Sequence, residues 1–583
     1  MPGLSGALSI ARWSLYASQL AVEITSHNIA NANTPGYSRQ SLRLSANYPI
    51  NMGPGQIGTG IKAEEVQRAY NQFINDQLCK KKSDYYYWDA QKETLEGIEP
   101  IFNESEEYGI NYLMGEFWNA WGDLMDNPDG FPQRQALAEK TNTLTQAIGS
   151  IDYDLRAYQG HIDNSIKGSV DKINTITEQI ASLNLEISTV EVEGLINAND
   201  LRDKRDMLVE ELSEYMDISY YEEEQNGQLM VYVLGGTPLV LGKDSYPLSY
   251  ERNGSTGYAD IFWSDISGRK VNITNKLEGG KIAGWVDVRD TKIDSYLDSM
   301  NTLTEELVWQ VNSLHSEGVG LKSVSEMTGT VSISDPTAQI AAAGYSFSDK
   351  FQAGDFDIVV YDSNGNAMRS TVTLAANATV NDLIGAGGIG GISNMNAEVD
   401  SNNKLHIYAD SGYTFVLSPN DSSDSNNALA ILGINTFFSW DADVGTFTQT
   451  IGLNPEVSSD TELIAAGYLD SDNKVAQGDN QVALGIFGLQ DKVLDISGNN
   501  TTLDGFYSSF VSEVGVGVQS AQMNEKYNDT LLTQYTQRKE SITGVNLDEE
   551  MATLIKFQHA YQAAAILISI TDEMMETLLS VKS

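Results

Sequence analysis

Both ends of the chain carry an apolar stripe at coiled-coil spacing, and this feature constrains the fold most. The N-terminal stripe consists of Met1, Leu4, Leu8, Ala11, Leu15, Val22 and Ile29, with Ser18 and Thr25 in its two gaps. The C-terminal stripe consists of Leu547, Met551, Leu554, Tyr561, Ala565, Ile568, Met575 and Leu579, interrupted only by Gln558 and Asp572. Such helices need a partner that covers the apolar face. The spacing of the two stripes leaves open whether the partner helix lies in the same chain or in another subunit.

The N-terminal helix is predicted to end abruptly within SHNIANANTPGYSRQ, residues 26–40. Asparagine disfavours the helix interior because its side chain competes for backbone hydrogen bonds. A Pro-Gly pair suits the second and third positions of a type II turn, here residues 34–37. The residues predicted to shape this stop are Asn28, Asn31, Asn33, Pro35, Gly36 and Tyr37.

Between the two ends, helical and strand-like spacings alternate, which predicts a multidomain α+β protein. Helical spacing covers 162–190, 199–216 and 290–315, whereas strand alternation covers 227–280 and 331–440. We expect terminal coiled-coil helices and a helical rod domain into which mainly-β domains are inserted. The predicted domains are an N-terminal axial helix and turn region (1–60), the helical rod domain (61–216, with 281–325 and 490–545), a small β domain (217–280), an inserted β domain (326–445), a connecting region (446–489) and a C-terminal axial helix (546–583).

The charge balance argues against several partners. The 583 residues carry 80 acidic and 36 basic side chains, a net charge of −44. This charge repels nucleic acids and anionic membranes, so we expect neither as a partner. No apolar run approaches the ~18 residues that span a bilayer, and Arg12 interrupts the start of the chain, so we expect no membrane insertion and no cleaved signal peptide. These signs fit a cytoplasmic protein, or one exported without a cleaved signal.

No pattern of residues indicates catalysis, a cofactor or a metal site. The five histidines show no HExxH spacing, and the only cysteine, Cys79, excludes a disulfide within the chain. Cys79 precedes three lysines that could lower the pKa of its thiol, although a lone thiol beside a solvated basic run is the simpler interpretation. Glycines 385, 387 and 390 match GxGxxG, but a strand-like segment follows them instead of a helix. Residues 362–365 are predicted to form a hairpin turn.

Four segments resemble bacterial flagellar axial proteins, the family of rod, hook and hook-associated proteins. SHNIANANTPGYSRQ resembles the N-terminal signature of the family, and GVNLDEEMATLIKFQHAYQAAAILISITDEMMETLL resembles its C-terminal helix. NDLRDKRDMLVEELSEYMDI and VNSLHSEGVGL resemble internal motifs of its hook-associated branch. The resemblance covers about the first 60 residues, the helices to 216, residues 280–321, and 480 to the end.

The resemblance implies a structural protein, not an enzyme, that joins the flagellar hook to the filament. It implies export through the flagellar type III apparatus without a cleaved signal, and hence an extracellular location. The implied partners are the hook protein, a second hook–filament junction protein, a cytoplasmic export chaperone on the C-terminal helix, and further copies in a ring of about eleven subunits.

The resemblance also implies where assembly contacts lie. The first helix would line the inner tube of the assembly and pair with the C-terminal helix, and the turn would redirect the chain outward. The expected assembly residues are Leu4, Leu8, Leu15, Val22 and Ile29 on one seam, and Leu547, Met551, Leu554, Tyr561, Ile568 and Met575 on the other.

Three other functions stay open at this point. The chain could be another axial protein of the hook or distal rod, although VNSLHSEGVGL and NDLRDKRD favour the hook-associated branch. The acidic inserted β domain could act as an adhesin or glycan-binding module. An embedded enzyme is the third alternative, and no nucleophile or metal pattern supports it.

Overall fold

The computed structural model describes residues 2–52, 55–103, 109–191, 196–223, 227–233, 235–265, 267–418 and 426–581. The chain divides into two compact units, each assembled from separated segments. Unit 1 comprises Met1–Leu95, Gly160–Arg289 and Gln519–Ser583, and unit 2 comprises Glu96–Gln159 and Asp290–Val518. The α+β multidomain class predicted from the sequence is confirmed.

The helices alternate with short strands along the chain. In chain order, the helices are α1 (Pro2–Ala30), α2 (Gln72–Ile98), α3 (Ile110–Asp126), α4 (Phe131–Val190), α5 (Asn199–Tyr215), α6 (Gly280–Asp287), α7 (Ile293–His315), α8 (Val380–Ile384), α9 (Ala428–Ile431), α10 (Phe447–Thr450), α11 (Pro455–Ser459), α12 (Gln481–Phe487), α13 (Leu503–Thr543) and α14 (Leu547–Val581).

The strands are short and pair mainly with near neighbours in sequence. In chain order, they are β1 (Gln40–Ala46), β2 (Ile50–Met52), β3 (Gly55–Ile57), β4 (Ile61–Arg68), β5 (Ile218–Glu222), β6 (Leu229–Val233), β7 (Thr237–Leu241), β8 (Asp244–Ser245), β9 (Leu248–Arg252), β10 (Ala259–Ser264), β11 (Lys270–Asn272), β12 (Glu326–Ser332), β13 (Gly354–Tyr361), β14 (Ala367–Leu374), β15 (Met395–Val399), β16 (Lys404–Ala409), β17 (Thr414–Ser418), β18 (Phe438–Ser439), β19 (Gly452–Leu453), β20 (Leu494–Ile496) and β21 (Asn499–Thr501).

Unit 1 contains both chain ends and the sheets of the small β region. Strand order is β5-β6-β7-β8 in one sheet and β11-β10-β9 in another, while β1 pairs with β4 in a two-stranded ribbon. Residues 61–68, which we assigned to the helical rod domain, form β4 of this ribbon. The isoleucine stripe predicted for 162–190 lines the core. Its buried members are Ile162, Ile166, Ile173, Ile176, Ile180 and Ile187.

Unit 2 is built around an aromatic core and contains the inserted β region. Trp121 packs against Phe437 with ring centroids 5.0 Å apart, and Phe117 packs against Trp118 at 4.8 Å. The β sheets of this unit have the orders β12-β16-β15 and β14-β13-β17. Thr448, in the predicted connecting region, donates a 2.9 Å hydrogen bond to Asp152 of α4. The connecting region is therefore packed into the unit.

Two local predictions in unit 2 are confirmed. Residues 362–365 turn between the antiparallel strands β13 and β14, with a positive φ of 80° at Gly365. The three glycines of the GxGxxG match follow the short helix α8 and precede strand β15, so no helix begins after them. They therefore lack the strand–loop–helix context of a dinucleotide site.

Among the described residues, no helix combines the length and apolar character needed to cross a membrane.

Candidate assembly site

Helices α1 and α14 pack side by side within unit 1, although they lie at opposite ends of the sequence. The buried residues of α1 are mostly small, which lets neighbouring backbones approach closely. They are Ala11, Ala17, Ser18, Ala21, Thr25 and Asn28. Three of them, Ala11, Ser18 and Thr25, belong to the predicted N-terminal stripe.

The larger residues of the N-terminal seam are only partly covered. Leu4, Leu8, Leu15, Val22 and Ile29 are half-buried. Two aromatic residues of the same helix, Trp13 and Tyr16, are exposed and contact each other edge to face at 6.5 Å. The first helix therefore retains uncovered apolar surface within the single chain.

The covered face of α14 differs from the predicted C-terminal seam. Its buried residues are Glu550, Ala564 and Thr571, which follow a spacing of seven through half-buried Phe557. Of the predicted seam, Leu554 and Ile568 are half-buried, whereas Leu547, Met551, Tyr561 and Met575 are exposed. Within the chain, α14 therefore covers a different face from the predicted seam, whose role in assembly stays a prediction. Apolar residues occur on nearly every side of α14, so hydrophobic spacing does not select one face.

The side chain of Asn28 connects α1, the turn, strand β1 and α14. Its Nδ2 donates to the Gln40 carbonyl oxygen at 2.8 Å and to Glu550 Oε2 at 2.9 Å. Its Oδ1 accepts from the Gln40 backbone N–H at 2.9 Å and from the Tyr37 hydroxyl at 2.7 Å. These contacts use both donors and both acceptor positions of an asparagine amide. Asn28 is only 1% exposed, so each bond is shielded from water.

Glu550 and Arg39 connect the turn to the first turn of α14. Arg39 Nε lies 2.7 Å from Glu550 Oε1, and Arg39 Nη1 lies 3.1 Å from Glu549 Oε2. Glu550 is only 2% exposed. A buried carboxylate is costly unless it is paired and hydrogen-bonded, and Arg39 and Asn28 provide both conditions. The backbone N–H of Arg39 also donates to the Thr543 carbonyl at the end of α13.

The predicted type II turn is confirmed. The Tyr37 N–H donates to the Thr34 carbonyl oxygen at 3.2 Å, and Gly36 has a φ of 75°. A side chain at Gly36 is disfavoured twice, because its Cβ would lie 2.1 Å from Met207 Sδ of α5, which would have to move, and because φ is positive. The turn is therefore specified both by its own residues and by the packing of Met207 of α5 against Gly36.

The asparagines of the stop have different environments. Asn31 Nδ2 donates to the His27 carbonyl at 3.0 Å, and its Oδ1 accepts from the Thr34 hydroxyl at 3.1 Å. Asn33 and Pro35 are exposed. Tyr37 also contacts His27, with its hydroxyl 3.0 Å from Nδ1. Burial raises the pKa of Tyr37, and Asp200, Asp203 and Glu550 add to the effect, so the hydroxyl keeps its proton for Asn28.

The turn and the ribbon are held by acidic residues of α5 that no local sequence pattern singles out. The Ser38 N–H donates to Asp203 Oδ2 at 2.8 Å, and Gln40 Nε2 donates to Asp200 Oδ1 at 2.7 Å. Arg68 of β4 bonds Asp203 and Asp206 at 2.7 and 2.6 Å. These aspartates lie in the NDLRDKRD motif, and only the fold brings them to the turn.

The two arginines of that motif hold the small β region. Arg205 is fully buried and donates to Asn184 Oδ1 at 2.9 Å and to the Gly227 carbonyl at 2.7 Å. Arg202 pairs with Glu191 at 2.6 Å and also with Glu222. Through this motif, the single helix α5 therefore holds both the turn with its ribbon and the small β region.

The asparagine of VNSLHSEGVGL anchors a loop of the aromatic core in unit 2. Asn312 Nδ2 donates to the Phe438 carbonyl at 2.9 Å, and its Oδ1 accepts from the N–H groups of Phe437 and Phe438 at 3.0 and 2.8 Å. The side-chain amide of Asn312 therefore pairs with backbone groups of this loop, as the backbone of a neighbouring strand would.

The histidine of the same motif is a buried structural residue. His315 Nε2 accepts from the Ala465 N–H at 2.9 Å, and Nδ1 lies 2.8 Å from the Asn435 carbonyl oxygen, to which it donates. Burial lowers the pKa of His315 to about 4, so the ring is neutral at pH 7. The neutral ring can make both bonds, whereas a protonated ring would lose the acceptor at Nε2.

Cys79 does not have the lowered pKa that its lysine neighbours suggested. The thiol is buried in unit 1, 4.0 Å from the Tyr220 hydroxyl, and burial raises its pKa to about 12. Two of the three lysines that follow it form ion pairs elsewhere: Lys81 with Asp84 at 2.7 Å and Lys82 with Glu214 at 2.8 Å. In the parts of the chain that the structure describes, no group of three or more His, Cys, Asp or Glu residues is placed to hold a metal ion.

Comparison with family models finds three matches to flagellar proteins. Residues 95–331 match the flagellar hook-associated protein FlgK helical domain. Residues 10–37 match the flagella basal body rod protein, and residues 537–581 match the C-terminal part of the flagellar basal body rod FlgEFG proteins. The first of these two matches covers most of α1 and the turn after it, and the second covers the end of α13 and all of α14.

The chain is similar over its full length to curated flagellar proteins. It is 24% identical to flagellar hook-associated protein 1 of Bacillus subtilis, over 98% of this chain and 97% of that protein. It is 25% identical to flagellar hook-associated protein 1 of Escherichia coli, over 99% of this chain and all of that protein.

A solved structure shares the fold. The flagellar hook junction protein FlgK from Burkholderia pseudomallei superposes with a TM-score of 0.51 at 16% identity, covering 80% of this chain and all of the other. Together, these similarities confirm that the chain resembles flagellar hook-associated protein 1 of the flagellar axial protein family.

Proposed function

We propose that this chain is a structural junction protein of the bacterial flagellum, which joins hook to filament and assembles as a ring through its paired terminal helices. The observation that carries the proposal is the uncovered apolar surface of α14. The relatives that resemble the chain over its full length are named flagellar hook-associated proteins, which supports the flagellar location.

The apolar surface of α14 is too extensive for a helix at the edge of an isolated chain. Large apolar residues are exposed along its whole length. They include Leu547, Met551, Ile555, Tyr561, Ile566, Leu567, Ile570, Met574, Met575, Leu578 and Leu579. A helix that is apolar on all sides is normally buried, and large exposed patches mark interaction sites. Because α1 covers only one face, further protein must cover the rest.

The charge distribution supports contact between identical chains at this helix. Two copies with a net charge of −44 each repel one another, so a contact between them is favoured where charge is low. Residues 557–571 of α14 contain no Asp, Glu, Lys or Arg. The apolar surface and the uncharged stretch therefore coincide on one element.

We assign the residues of the site complementary roles. The network around Asn28, with Tyr37, Arg39 and Glu550, keeps α1 and α14 paired and sets the direction of the turn. The exposed seam residues Leu547, Met551, Tyr561 and Met575, with half-buried Leu554 and Ile568, contact neighbouring subunits. On α1, the half-buried Leu4, Leu8, Leu15, Val22 and Ile29 complete the contact surface, while Asn31, Asn33, Pro35 and Gly36 shape the turn.

The remaining partners follow from the family resemblance. We propose a ring of about eleven subunits, with the hook protein on one side and the second hook–filament junction protein on the other. We further propose export through the type III apparatus without a cleaved signal, to an extracellular location on the flagellum. A cytoplasmic chaperone would cover the apolar α14 before export.

Immunogold labelling of isolated flagella tests the junction role. We expect an antibody against residues 331–440 to give a single band where the straight filament meets the curved hook. Flagella of a strain that lacks the gene serve as the control for antibody specificity. Label along the hook, at the rod or along the filament would contradict the junction role and assign the chain to another axial position.

A further inference from the structure

The two-stranded ribbon of unit 1 ends in a tip whose large apolar side chains are exposed among the described residues. Beyond the paired strands β1 and β4, the chain continues through β2 and β3, in which Ile50 pairs with Ile57. We call residues 47–52 and 55–60 the ribbon tip. Tyr48 is 87% exposed, Ile50 53% and Ile57 46%. These three side chains therefore expose large apolar groups to solvent.

The base of the ribbon tip is fixed, so the tip is a defined extension of the unit. Asn47 N–H donates to the Gly60 carbonyl at 2.9 Å, and the Thr59 hydroxyl donates to the Tyr48 carbonyl at 2.6 Å. At Gly60, a Cβ would lie 3.3 Å from Ile10 Cα of α1. A two-stranded hairpin by itself is marginally stable in water. The exposed apolar tip therefore gains stability from a partner.

The ribbon tip lies in an uncharged stretch of a strongly acidic chain. Residues 44–61 contain no Asp, Glu, Lys or Arg, although charged residues make up 20% of the sequence. At that frequency, a stretch of this length would hold about four charges. The exposed backbone edges and the uncharged apolar side chains suit a protein contact in which no charge must be desolvated.

We propose that the ribbon tip docks on a second copy of this chain. The favoured receiving surface is the exposed, uncharged stretch 557–571 of α14, which includes Ile566 and Ile570. Contact there avoids the repulsion between two chains of net charge −44. Because the two surfaces differ, the contact is heterologous and repeats from copy to copy, as a closed ring requires. This inference rests on the proposed self-assembly and adds a specific contact to it.

Photo-cross-linking from single positions of the full-length chain tests this contact in isolated flagella. The cross-linking amino acid p-benzoylphenylalanine is placed at Tyr48, at Ile570, or at Tyr153, a control tyrosine of unit 2 that is 72% exposed. We expect irradiation to give a product with twice the mass of the chain from positions 48 and 570, and none from position 153. Mass spectrometry of the product from position 48 identifies the receiving segment.

The possible results separate the inference from the proposed function. A two-chain product from position 570, combined with no product or a product with another protein from position 48, would overturn the ribbon contact while self-assembly stands. No two-chain product from either position would overturn both. As a second variant, Tyr48→Asp with Ile50→Asp alters exposed side chains, so the monomer should keep its circular dichroism spectrum. We expect this variant to reduce the two-chain product from position 570 at least about tenfold.

Discussion

Asn28 and Glu550 are separated by 522 positions in the sequence, yet their side chains form a 2.9 Å buried hydrogen bond. The bond connects the end of the first helix to the beginning of the last. Because Asn28 also bonds Tyr37 and both backbone groups of Gln40, one amide fixes the pairing of the terminal helices and the turn together.

We expect Asn28→Ala to open this network. The substitution removes the partners of the Gln40 N–H and carbonyl groups and one partner of the Glu550 carboxylate. Leaving buried polar groups unpaired costs about 2 kcal/mol, which corresponds to ~30-fold faster amide exchange at Gln40. Hydrogen exchange followed by mass spectrometry or NMR measures this effect. Asn33→Ala, at an exposed position of the same stop, is the control and should change exchange less than about twofold.

Gly36→Ala is expected to destabilise the turn by about 1–3 kcal/mol, because it combines a positive φ with a clash against Met207. Adding Met207→Ala should recover only part of the loss, since it removes the clash but not the backbone strain. Urea denaturation of unit 1 reports both values. For comparison, Gly168 of α4, also in unit 1, has open space around its Cβ position, and Gly168→Ala should be neutral or stabilising. Equal effects of the two glycine substitutions would contradict the role of the turn geometry.

Stability of the loop at Ala465 should fall when the pH decreases from about 6.5 to about 4. Burial lowers the pKa of His315 to about 4, so in this range the unfolded state binds a proton that the folded state does not. The stability lost between these two pH values is about 3 kcal/mol, and above pH 6.5 the full stability is retained. Protection of the Ala465 amide, which donates to His315 Nε2, is the measurement. His315→Gln should abolish this component of the pH dependence, whereas His161→Gln, at an exposed position, should leave it intact.

The thiol of Cys79 should not react with an aromatic disulfide reagent at pH 8 while the protein is folded. Burial excludes the reagent and raises the thiol pKa to about 12, so the reactive thiolate is scarce. Urea should expose one thiol per chain. In the variant Tyr48→Cys, the new exposed thiol should react at once and Cys79 only after unfolding. Rapid reaction of the unaltered folded chain would show that Cys79 is accessible.

The two faces of α14 should respond differently to charge. Tyr561→Asp with Met575→Asp alters exposed positions, so we expect a folded monomer that fails to assemble and gives non-motile cells. Ala564→Asp buries an unpaired carboxylate at the covered face and should loosen α1 from α14, at a cost of several kcal/mol. Hydrogen exchange of α1 distinguishes the two variants, because it should become faster in Ala564→Asp and stay unchanged in the double variant. Normal motility of the first variant would argue against assembly through this face.

Local sequence predicted the elements of the site but not its packing. The stop after Ala30 and the turn at Gly36 follow from backbone preferences that act within a few residues. The face of α14 that is covered within the chain differs from the predicted seam, because a helix with apolar residues on every side offers no periodic signal that selects one face. There, the small side chain of Ala564 and the hydrogen bond of Glu550 determine the packing.

By itself, the sequence determined the helices at both ends, the turn after the first, the α+β class and the family resemblance, because each depends on short-range spacing and backbone preference. Tertiary structure alone decided that Asn28 meets Glu550, that Asp203 of α5 holds the turn, and that Cys79 and His315 are buried with shifted pKa values. These features depend on residues more than a hundred positions apart, and their energies arise from burial and pairing, which exist only once the chain has folded.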